Sequence, residues 1–354
     1  MTIKTFQLAD IPPTTQVGQN LSQLPGQHFG QSRLGFEVIE SSVGKSAGVQ
    51  RVRLTCDDLS VDVLPQRGMG IWQAHQHGIR FGWNSPVKGP VHPHWVPINE
   101  SSGLGWLEGF DELVCRCGLS SNGAPEHNEA GQLVYPLHGR IANLPAEDVA
   151  VSIDESEGQI EIRGVVRESR FLCYHLELTS TIRLKAGTDS IRILDRVTNL
   201  GSQPQAVQML YHCNFGPPLL EEDSTLIIAE ESVRPRDNRA AEGIEKWKIC
   251  EPPTAGFAEQ VYFVRPKTAA DGWSTARLVN PQRNLSAEVT FRTSTLPCFT
   301  FWKNSTALTD GYVVGLEPAT NFPNRRSVER TAGREIVINK NDSVDFELKI
   351  RLGV

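Results

Sequence analysis

The sequence predicts an all-β protein that folds as one large sandwich or barrel. Short runs of alternating or β-branched residues recur along the chain, and Gly, Pro, Asn or Asp bounds almost every run. No long segment has the periodicity of an amphipathic helix. The composition agrees, because 30 glycines and 22 prolines in 354 residues supply many turns, and 39% hydrophobic residues is typical of a globular protein.

The predicted strands follow one another at short intervals. The first, residues 50–54, reads QRVRL and alternates polar with apolar side chains, as in a strand with one buried face. The whole set comprises residues 50–54, 149–153, 159–165, 176–184, 190–197, 205–210, 286–291, 312–316, 335–338 and 344–352. Because these strands are separated by turns rather than helices, they favour antiparallel sheets over βαβ units. Residues 221–253 are polar and charged, and we expect surface excursions or a short helix there.

The domain organisation predicted from this pattern is simple. Residues 1–29 are expected to form an extended or peripheral N-terminal arm, and residues 30–354 a single β domain. The length exceeds that of an average domain, but large β-sandwiches often reach it as one unit. The sequence has no internal repeat and no low-complexity segment.

The charge and cysteine content narrow the class of partner. A net charge of -6 without a long Lys/Arg run argues against nucleic acid and acidic membranes, and favours a neutral small molecule. No stretch approaches the ~18 apolar residues of a membrane span, and the N-terminal MTIKTFQLADIPPTT lacks the apolar run of a signal peptide, so a cytoplasmic location is expected. Seven cysteines without framework spacing predict reduced thiols, and the CxC of Cys115 and Cys117 is a weak metal signal.

Residues 67–118 concentrate aromatic and histidine side chains. Four of the seven tryptophans lie there, among four histidines and many glycines: Trp72, Trp83, Trp95 and Trp106, with His75, His77, His92 and His94. Aromatic rings beside fixed polar groups suit sugars, whose C–H faces stack on rings while their hydroxyls make directional hydrogen bonds. The alternative is that these rings fill a large core between sheets.

Three further segments carry residues suited to acid/base chemistry. YPLHGRIANLPA places His138 and Arg140 around a glycine, where a turn would project both side chains into a cleft. In YHCNFGPPLL, His212 ends an apolar run, and in GLEPATNFPN, Glu317 ends the apolar strand YVVGL. A carboxylate among apolar neighbours has a raised pKa, which is what a general acid or base near neutral pH needs.

These segments, in this order, resemble the galactose mutarotase-like superfamily, which includes the aldose 1-epimerases. The resemblance is closer to a less characterised branch in which PQRGMGI, GWLEGFDELVCRCGL, LHGRIANLPA and YHCNFG occur together. It extends from Arg67 to Asn324. Each motif alone is weak, but four in sequence order are specific for the fold.

The resemblance implies a galactose mutarotase-like β-supersandwich whose concave face binds a pyranose or furanose, without metal or organic cofactor. It implies an aldose 1-epimerase activity, the interconversion of the anomers of a free sugar through ring opening. Glu317 would take the proton from the anomeric hydroxyl, and His212 would protonate the ring oxygen. His138 would orient the substrate or share the acid role.

The resemblance also implies the residues that contact the sugar. Two arginines would bind hydroxyls and steady developing negative charge, and six other residues would line the site: Arg67, Arg140, Trp106, Glu108, Asp111, Asn214, Asn321 and Asn324. The segment GWLEGFDEL, which contains Trp106, Glu108 and Asp111, forms either a wall of the site or a packed turn. The expected partner is a sugar, and the sequence leaves monomer and homodimer open.

The chain departs from better-known mutarotases at two places. His212 is followed by Cys213, Asn214 and Phe215 rather than by an aromatic pair, and the glutamate motif is followed by Arg325 and Arg326. Two arginines near a sugar site are compatible with a phosphate or carboxylate on the substrate, because guanidinium groups grip such oxyanions. The alternative is a solvated surface pair.

Two rival functions belong to other classes. A cupin-like metal-dependent isomerase would use the HxH pairs His75/His77 and His92/His94 with Glu100 or Glu108, since an i, i+2 spacing on a strand points both rings to one face. Pro93 and the loop-like surroundings argue against it. A non-catalytic sugar-binding or sensing module would keep the sandwich, but binding alone needs no acid/base pair.

Overall fold

The structure is a computed structural model that describes residues 3–16 and 33–354. The strands in chain order are β1 (Ile3–Gln7), β2 (Thr14–Gln16), β3 (Leu34–Ser41), β4 (Gln50–Cys56), β5 (Leu59–Leu64), β6 (Gly70–Gln76), β7 (Ile79–Phe81), β8 (Val114–Leu119), β9 (Glu126–His127), β10 (Leu133–Tyr135), β11 (Ala146–Asp154), β12 (Gln159–Arg170), β13 (Tyr174–Lys185), β14 (Ser190–Asn199), β15 (Gln205–Phe215), β16 (Thr225–Ile228), β17 (Glu230–Pro235), β18 (Gln260–Pro266), β19 (Trp273–Asn280), β20 (Leu285–Arg292), β21 (Cys298–Asn304), β22 (Val313–Ala319), β23 (Ile336–Ile338) and β24 (Ser343–Gly353). The predicted all-β class is confirmed.

Helical structure is confined to short connections. Two α-helices, α1 (Asn238–Ala241) and α2 (Arg326–Thr331), have four and six residues. Single 3₁₀ turns occur at Leu8–Asp10, Gly44–Ser46, Pro93–Trp95, Gly105–Gly109, Ile141–Asn143, Ile244–Lys246 and Leu308–Asp310. Residues 221–253, expected as surface excursions or a short helix, contain α1 but also the strands β16 and β17.

Two large sheets form the body of the molecule. A nine-stranded sheet has the order β1-β11-β12-β13-β14-β24-β20-β19-β16, and a 13-stranded sheet includes the path β17-β18-β21-β22-β15-β8-β6-β5-β4-β3-β2. Nearly all pairings are antiparallel, and one buried cluster contains side chains of both sheets, such as Leu54 from one and Leu178 from the other. The hydrophobic core therefore lies between the sheets, as in a sandwich.

All ten predicted strands coincide with observed strands, because their alternating pattern reflects one face buried in this core. The N-terminal arm is described only at residues 3–16. There β1 pairs with β11 at the edge of the nine-stranded sheet, and β2 pairs in parallel with β3 at the edge of the other. The predicted boundary at residue 30 lies outside the described residues.

The centre of the 13-stranded sheet is buried on both faces. In β15, Tyr211, Cys213 and Phe215 join the core between the sheets, while Leu210 joins a second cluster on the opposite face. That opposite face also carries His212, because side chains alternate along a strand. The second cluster holds Trp83, Trp106, Phe110, Cys115, Cys117, Ala142, Leu210, Val313 and Ala319, and it forms the base of a cavity.

Candidate active site

A cavity of about 820 Å³ opens on this second face of the 13-stranded sheet. Its volume lies in the upper part of the ~300–1,000 Å³ range of small-molecule sites. Its lining combines aromatic and aliphatic side chains with a few polar groups: Trp83, Trp106, Phe110, Trp302, Leu104, Leu107, Val328, His138, His212, Glu317, Thr300, Asn304, Asp310, Glu259, Arg236, Asn324 and Arg325 among others.

Strand register brings His212 and Glu317 together at the base of this cavity. The β15–β22 pairing aligns Cys213 with Leu316 and Asn214 with Gly315, so the histidine and the glutamate lie on neighbouring strands and on the same face. His212 Nε2 lies 3.2 Å from Glu317 Oε1, and both side chains are almost fully buried. Two residues 105 positions apart therefore form one unit.

Gly315 makes this close approach possible. It shares the cavity face with Glu317, and a Cβ at this position would lie 2.6 Å from Glu317 Oε1 and 3.0 Å from His212 Cε1. Real Cβ atoms do not approach other heavy atoms to 2.6 Å. The glycine thus leaves the space that the two reactive side chains occupy.

The hydrogen bonds around His212 define which nitrogen carries a proton. Asn214 Nδ2 donates to the carbonyls of Glu112 and His212, so its Oδ1 is an acceptor, and it lies 2.6 Å from His212 Nδ1. His212 Nδ1–H therefore donates to Asn214, and Nε2 faces Glu317. Glu317 Oε1 has no aligned hydrogen-bond partner despite this contact.

Burial moves the two pKa values of the pair in opposite directions. Desolvation raises the pKa of Glu317 well above its usual range, with a further increase from Glu259 that Arg236 opposes. Desolvation lowers the pKa of His212 well below its usual range, assisted by His138 and opposed by the hydrogen bond to Asn214. Both shifts favour the neutral forms, because a buried charge without compensation is costly.

His138 reaches the same cavity from a tight turn. Its backbone is left-handed, with φ of 56°, and Gly139 follows with φ of 73°. A Cβ on Gly139 would lie 2.1 Å from the carbonyl oxygen of Ser121, so only glycine fits this turn. The turn places the His138 ring 5.5 Å from the His212 ring, centroid to centroid.

The His138 ring is held in one orientation. Its Nδ1 lies 2.9 Å from the carbonyl oxygen of Asn122, so Nδ1–H donates and Nε2 remains an acceptor in the neutral ring. Desolvation lowers the pKa of His138 to about 4, although the bond to Asn122 acts in the opposite direction. Asn321 supports this arrangement by exchanging two amide hydrogen bonds with Asn122.

Aromatic rings surround these polar groups. The Trp106 ring lies 4.5 Å from His138 and 4.4 Å from Phe110, and the Trp302 ring lies 5.3 Å from His212. Trp106 Nε1 is buried without a hydrogen-bond partner, which is unusual for an indole N–H. Because Trp106 lines the cavity, this unpartnered donor is suited to a ligand hydroxyl.

Two predicted binding residues lie behind the cavity wall. Arg67 is fully buried: it donates to Glu112 at 2.6 Å, to the carbonyl of Gly109 at 2.7 Å and to Asn143. Its contact with Gly109 braces the 3₁₀ turn that carries Trp106, so it supports the wall and does not line the cavity. Asp111 is also buried, and it accepts a hydrogen bond from Trp72 Nε1 at 2.8 Å. Desolvation and the nearby Glu112 raise the pKa of Asp111 to about 7.

The other predicted binding residues are distributed around the site. Glu108 is exposed, 4.0 Å from Lys45, and does not line the cavity. Arg140 donates to Asn99 at 3.0 Å and borders a separate cleft. Asn324 lines the cavity, while its Nδ2 donates to a glutamate carboxylate at 2.7 Å.

The two adjacent arginines of the glutamate motif point apart. Arg325 is exposed at the cavity and makes no ion pair among the described residues. Arg326 is buried, donates to Glu335 and to the carbonyls of Ser120 and Ala206, and borders the separate cleft. The pair therefore does not grip a common ligand.

Sequence reasoning missed several cavity residues. Thr300, Trp302 and Asn304 lie at alternate positions of β21 and all line the cavity. The first part of this strand, CFTFW, is apolar at four of its five positions, as in a strand buried on both faces, and that signal could have marked β21. Arg236 directly follows β17, Glu259 directly precedes β18, and the two form an ion pair at 2.9 Å.

The HxH pairs do not assemble into a metal site. In residues 3–16 and 33–354, no three His, Cys, Asp or Glu side chains lie close enough to hold an ion. His77 instead lies 3.2 Å from Asp58, and His92 Nδ1 accepts from the backbone N–H of His94. All seven cysteines are free thiols, and all but Cys173 are buried.

A two-sheet sandwich with an aromatic cavity over a buried His–Glu pair defines a galactose mutarotase-like protein. The chain belongs to the family described as a domain of unknown function, DUF4432, whose model matches residues 46–352. No curated protein matches it. The described part of the chain has no helix with the length and apolar character of a membrane span, and the cytoplasmic location stays a prediction.

Solved structures agree with this family. A crystal structure from Klebsiella pneumoniae, described as a candidate aldose 1-epimerase, is 32% identical, with a TM-score of 0.90 over 99% of this chain and 91% of that one. A galactose mutarotase-like protein from Clostridium acetobutylicum is 14% identical, with a TM-score of 0.63 over 90% and 98% of the two chains. The second likeness shows the fold alone, and the predicted galactose mutarotase-like β-sandwich is confirmed.

Proposed function

We propose that the chain is an aldose 1-epimerase-type isomerase that interconverts the anomers of a free sugar. The observation that supports this most is the contact of His212 Nε2 with Glu317 Oε1, 3.2 Å apart at the base of the cavity. A hemiacetal opens when a base takes the proton of the anomeric hydroxyl and an acid protonates the ring oxygen. Both oxygens are bonded to C1, so the acid and the base must be neighbours.

The proton content of the pair suits this reaction. Because His212 Nδ1–H is used by Asn214, two lone pairs would face each other across 3.2 Å unless the pair holds one more proton. The directions of the two pKa shifts favour that proton on Glu317 before a substrate binds. Transfer to His212 creates a carboxylate base and an imidazolium acid without changing the net charge.

Ring opening then consumes the charged form of the pair. Glu317 takes the proton of the anomeric hydroxyl, whose O–H electrons form the C1 carbonyl. The bond from C1 to the ring oxygen breaks, and that oxygen receives the proton of His212. The pair returns to its neutral form, rotation about the C1–C2 bond exposes the other carbonyl face, and the reverse steps close the ring.

Neighbouring groups position the sugar for these steps. Nε2 of the neutral His138 ring can accept a hydrogen bond from a sugar hydroxyl. The unpartnered Trp106 Nε1 can donate a hydrogen bond to a sugar oxygen. The rings of Trp106, Phe110 and Trp302 offer faces to the sugar C–H groups. The chain's own side chains thus supply base, acid and binding surface for a neutral substrate.

The proposal is tested by following pure anomers to equilibrium with polarimetry or exchange NMR. The panel contains galactose, glucose, 2-deoxyribose and a sugar phosphate, each compared with its buffer-catalysed rate. Acceleration of at least one sugar, lost in His212→Asn, is expected. A protein that binds a panel sugar but accelerates none would be a binding or sensing module instead.

A further inference from the structure

A second cleft, of about 270 Å³, lies beside the turn that carries His138. Four arginines border it together with two tyrosines: Arg140, Arg170, Arg326, Arg330, Tyr135 and Tyr174. No Asp or Glu is among the described residues that line it. The protein as a whole carries a net charge of -6, so this concentration of positive charge is local.

The carboxylates behind this arginine cleft are already engaged. Glu335 accepts from Arg326 at 3.1 Å and from Arg330 at 3.2 Å. The buried Glu168 accepts from two backbone N–H groups, those of Leu119 and Ser120. Neither carboxylate forms an ion pair with Arg140 or Arg170.

Arg140 and Arg170 thus have no carboxylate partner among the described residues. Arg140 donates through one nitrogen to Asn99, which leaves its other donors free. Arg170 is exposed at the end of β12, where it pairs across the hairpin with Tyr174. Like charges that face one cleft without neutralisation attract an anion, and their mutual repulsion is relieved when one binds.

Arg326 anchors one side of the cleft. Arg326 donates to Ala206 at 2.9 Å and to the carbonyl of Ser120, and its guanidinium lies 5.2 Å from the centre of the Tyr135 ring. Those bonds join α2 to β15 and to the residue that directly follows β8. Arg326 is therefore held in place before any ligand arrives, which lowers the entropic cost of binding on its side of the cleft.

We propose that the arginine cleft binds the phosphoryl group of a small phosphorylated molecule. Guanidinium forks match the geometry of phosphate oxygens, and the side chains of Tyr135 and Tyr174 border the same space. The site is separate from the sugar cavity, because no described residue lines both. Arg325 lines the cavity, and Arg326 lines the cleft. The proposal does not depend on mutarotase activity.

The test is calorimetric titration of the full chain with inorganic phosphate at low ionic strength. We expect binding that weakens when NaCl is raised, since salt screens the attraction. The double variant Arg140→Ala/Arg170→Ala should weaken it at least about tenfold, as expected for the loss of two charge-assisted contacts. Arg170→Ala alone, at an exposed position, should weaken it less and guards against misfolding of the double variant.

Two matched controls each remove one arginine elsewhere. Arg163→Ala takes a charge from the exposed face of the same strand β12, and Arg325→Ala takes one from the sugar cavity. Both should bind phosphate as the wild type does. Absence of binding at ten millimolar phosphate, an unchanged affinity in the double variant, or a loss confined to Arg325→Ala would each overturn the proposal.

Discussion

Replacement of Glu317 by glutamine tests the proposed chemistry most directly. Gln keeps the size and one acceptor of the side chain that lies 3.2 Å from His212, but it cannot carry a proton between sugar and enzyme. Loss of a positioned general base costs about 10²–10⁴-fold in rate, or roughly 3–5 kcal/mol of transition-state stabilisation. We expect this loss in kcat, with sugar binding nearly unchanged, because Gln keeps the shape of the cavity lining at this position.

The same substitution should affect stability in a direction set by the pKa of Glu317. Burial raises that pKa above 4.5, so the folded protein keeps a proton that the unfolded chain releases. Stability therefore falls by up to about 1.4 kcal/mol per pH unit from pH 4.5 up to the folded pKa. Gln does not titrate, so the variant should gain in Tm relative to the wild type as the pH rises from about 4.5 to 7.

The assay combines anomer equilibration with thermal unfolding between pH 4.5 and 7. Glu259→Gln is the matched control, because it removes a second cavity carboxylate that lies in an ion pair with Arg236 and accepts from Trp302. It should change kcat by less than about tenfold, far below the loss of a general base. A Glu317→Gln variant within tenfold of wild-type kcat, or a Tm difference independent of pH, would refute the assignment.

Three further predictions concern the surroundings of the pair. Gly315→Ala should lower kcat at least tenfold in the same equilibration assay, because a Cβ would lie 2.6 Å from Glu317 Oε1. Wild-type turnover in this variant would show that His212 and Glu317 need not keep their spacing. Trp106→Phe keeps a ring beside His138 but removes the unpartnered Nε1 donor, so KM should rise more than kcat falls; the reverse pattern in steady-state kinetics would contradict a binding role. Because burial lowers the pKa of His138 from 6.5 to about 4, the unfolded chain binds this proton first, and stability should decline by at most about 3 kcal/mol as the pH falls from about 6.5 to 4. Urea unfolding across that pH range should show a shallower decline of the free energy of unfolding in His138→Asn than in the wild type. Equal pH dependence in the two proteins would show that His138 does not cause the decline.

The sequence by itself determined the fold class and the positions of ten strands. Their alternation of polar and apolar side chains is a local property, and it survives because one face of each strand meets the core. It also identified His138, His212 and Glu317, because each follows a local signal: a glycine turn or the end of an apolar run. All three line one cavity.

Only the tertiary structure decided which charged residues face that cavity. Arg67 lies in a conspicuous motif, but it forms a buried ion pair with Glu112 and does not line the cavity. The adjacent Arg325 and Arg326 line different sites, the first the cavity and the second the cleft. Trp302 enters the site through the pairing of β21 with β22. Such outcomes depend on strand register and on which carboxylate reaches which guanidinium, and both are set by contacts between residues far apart in the chain, which local patterns do not encode.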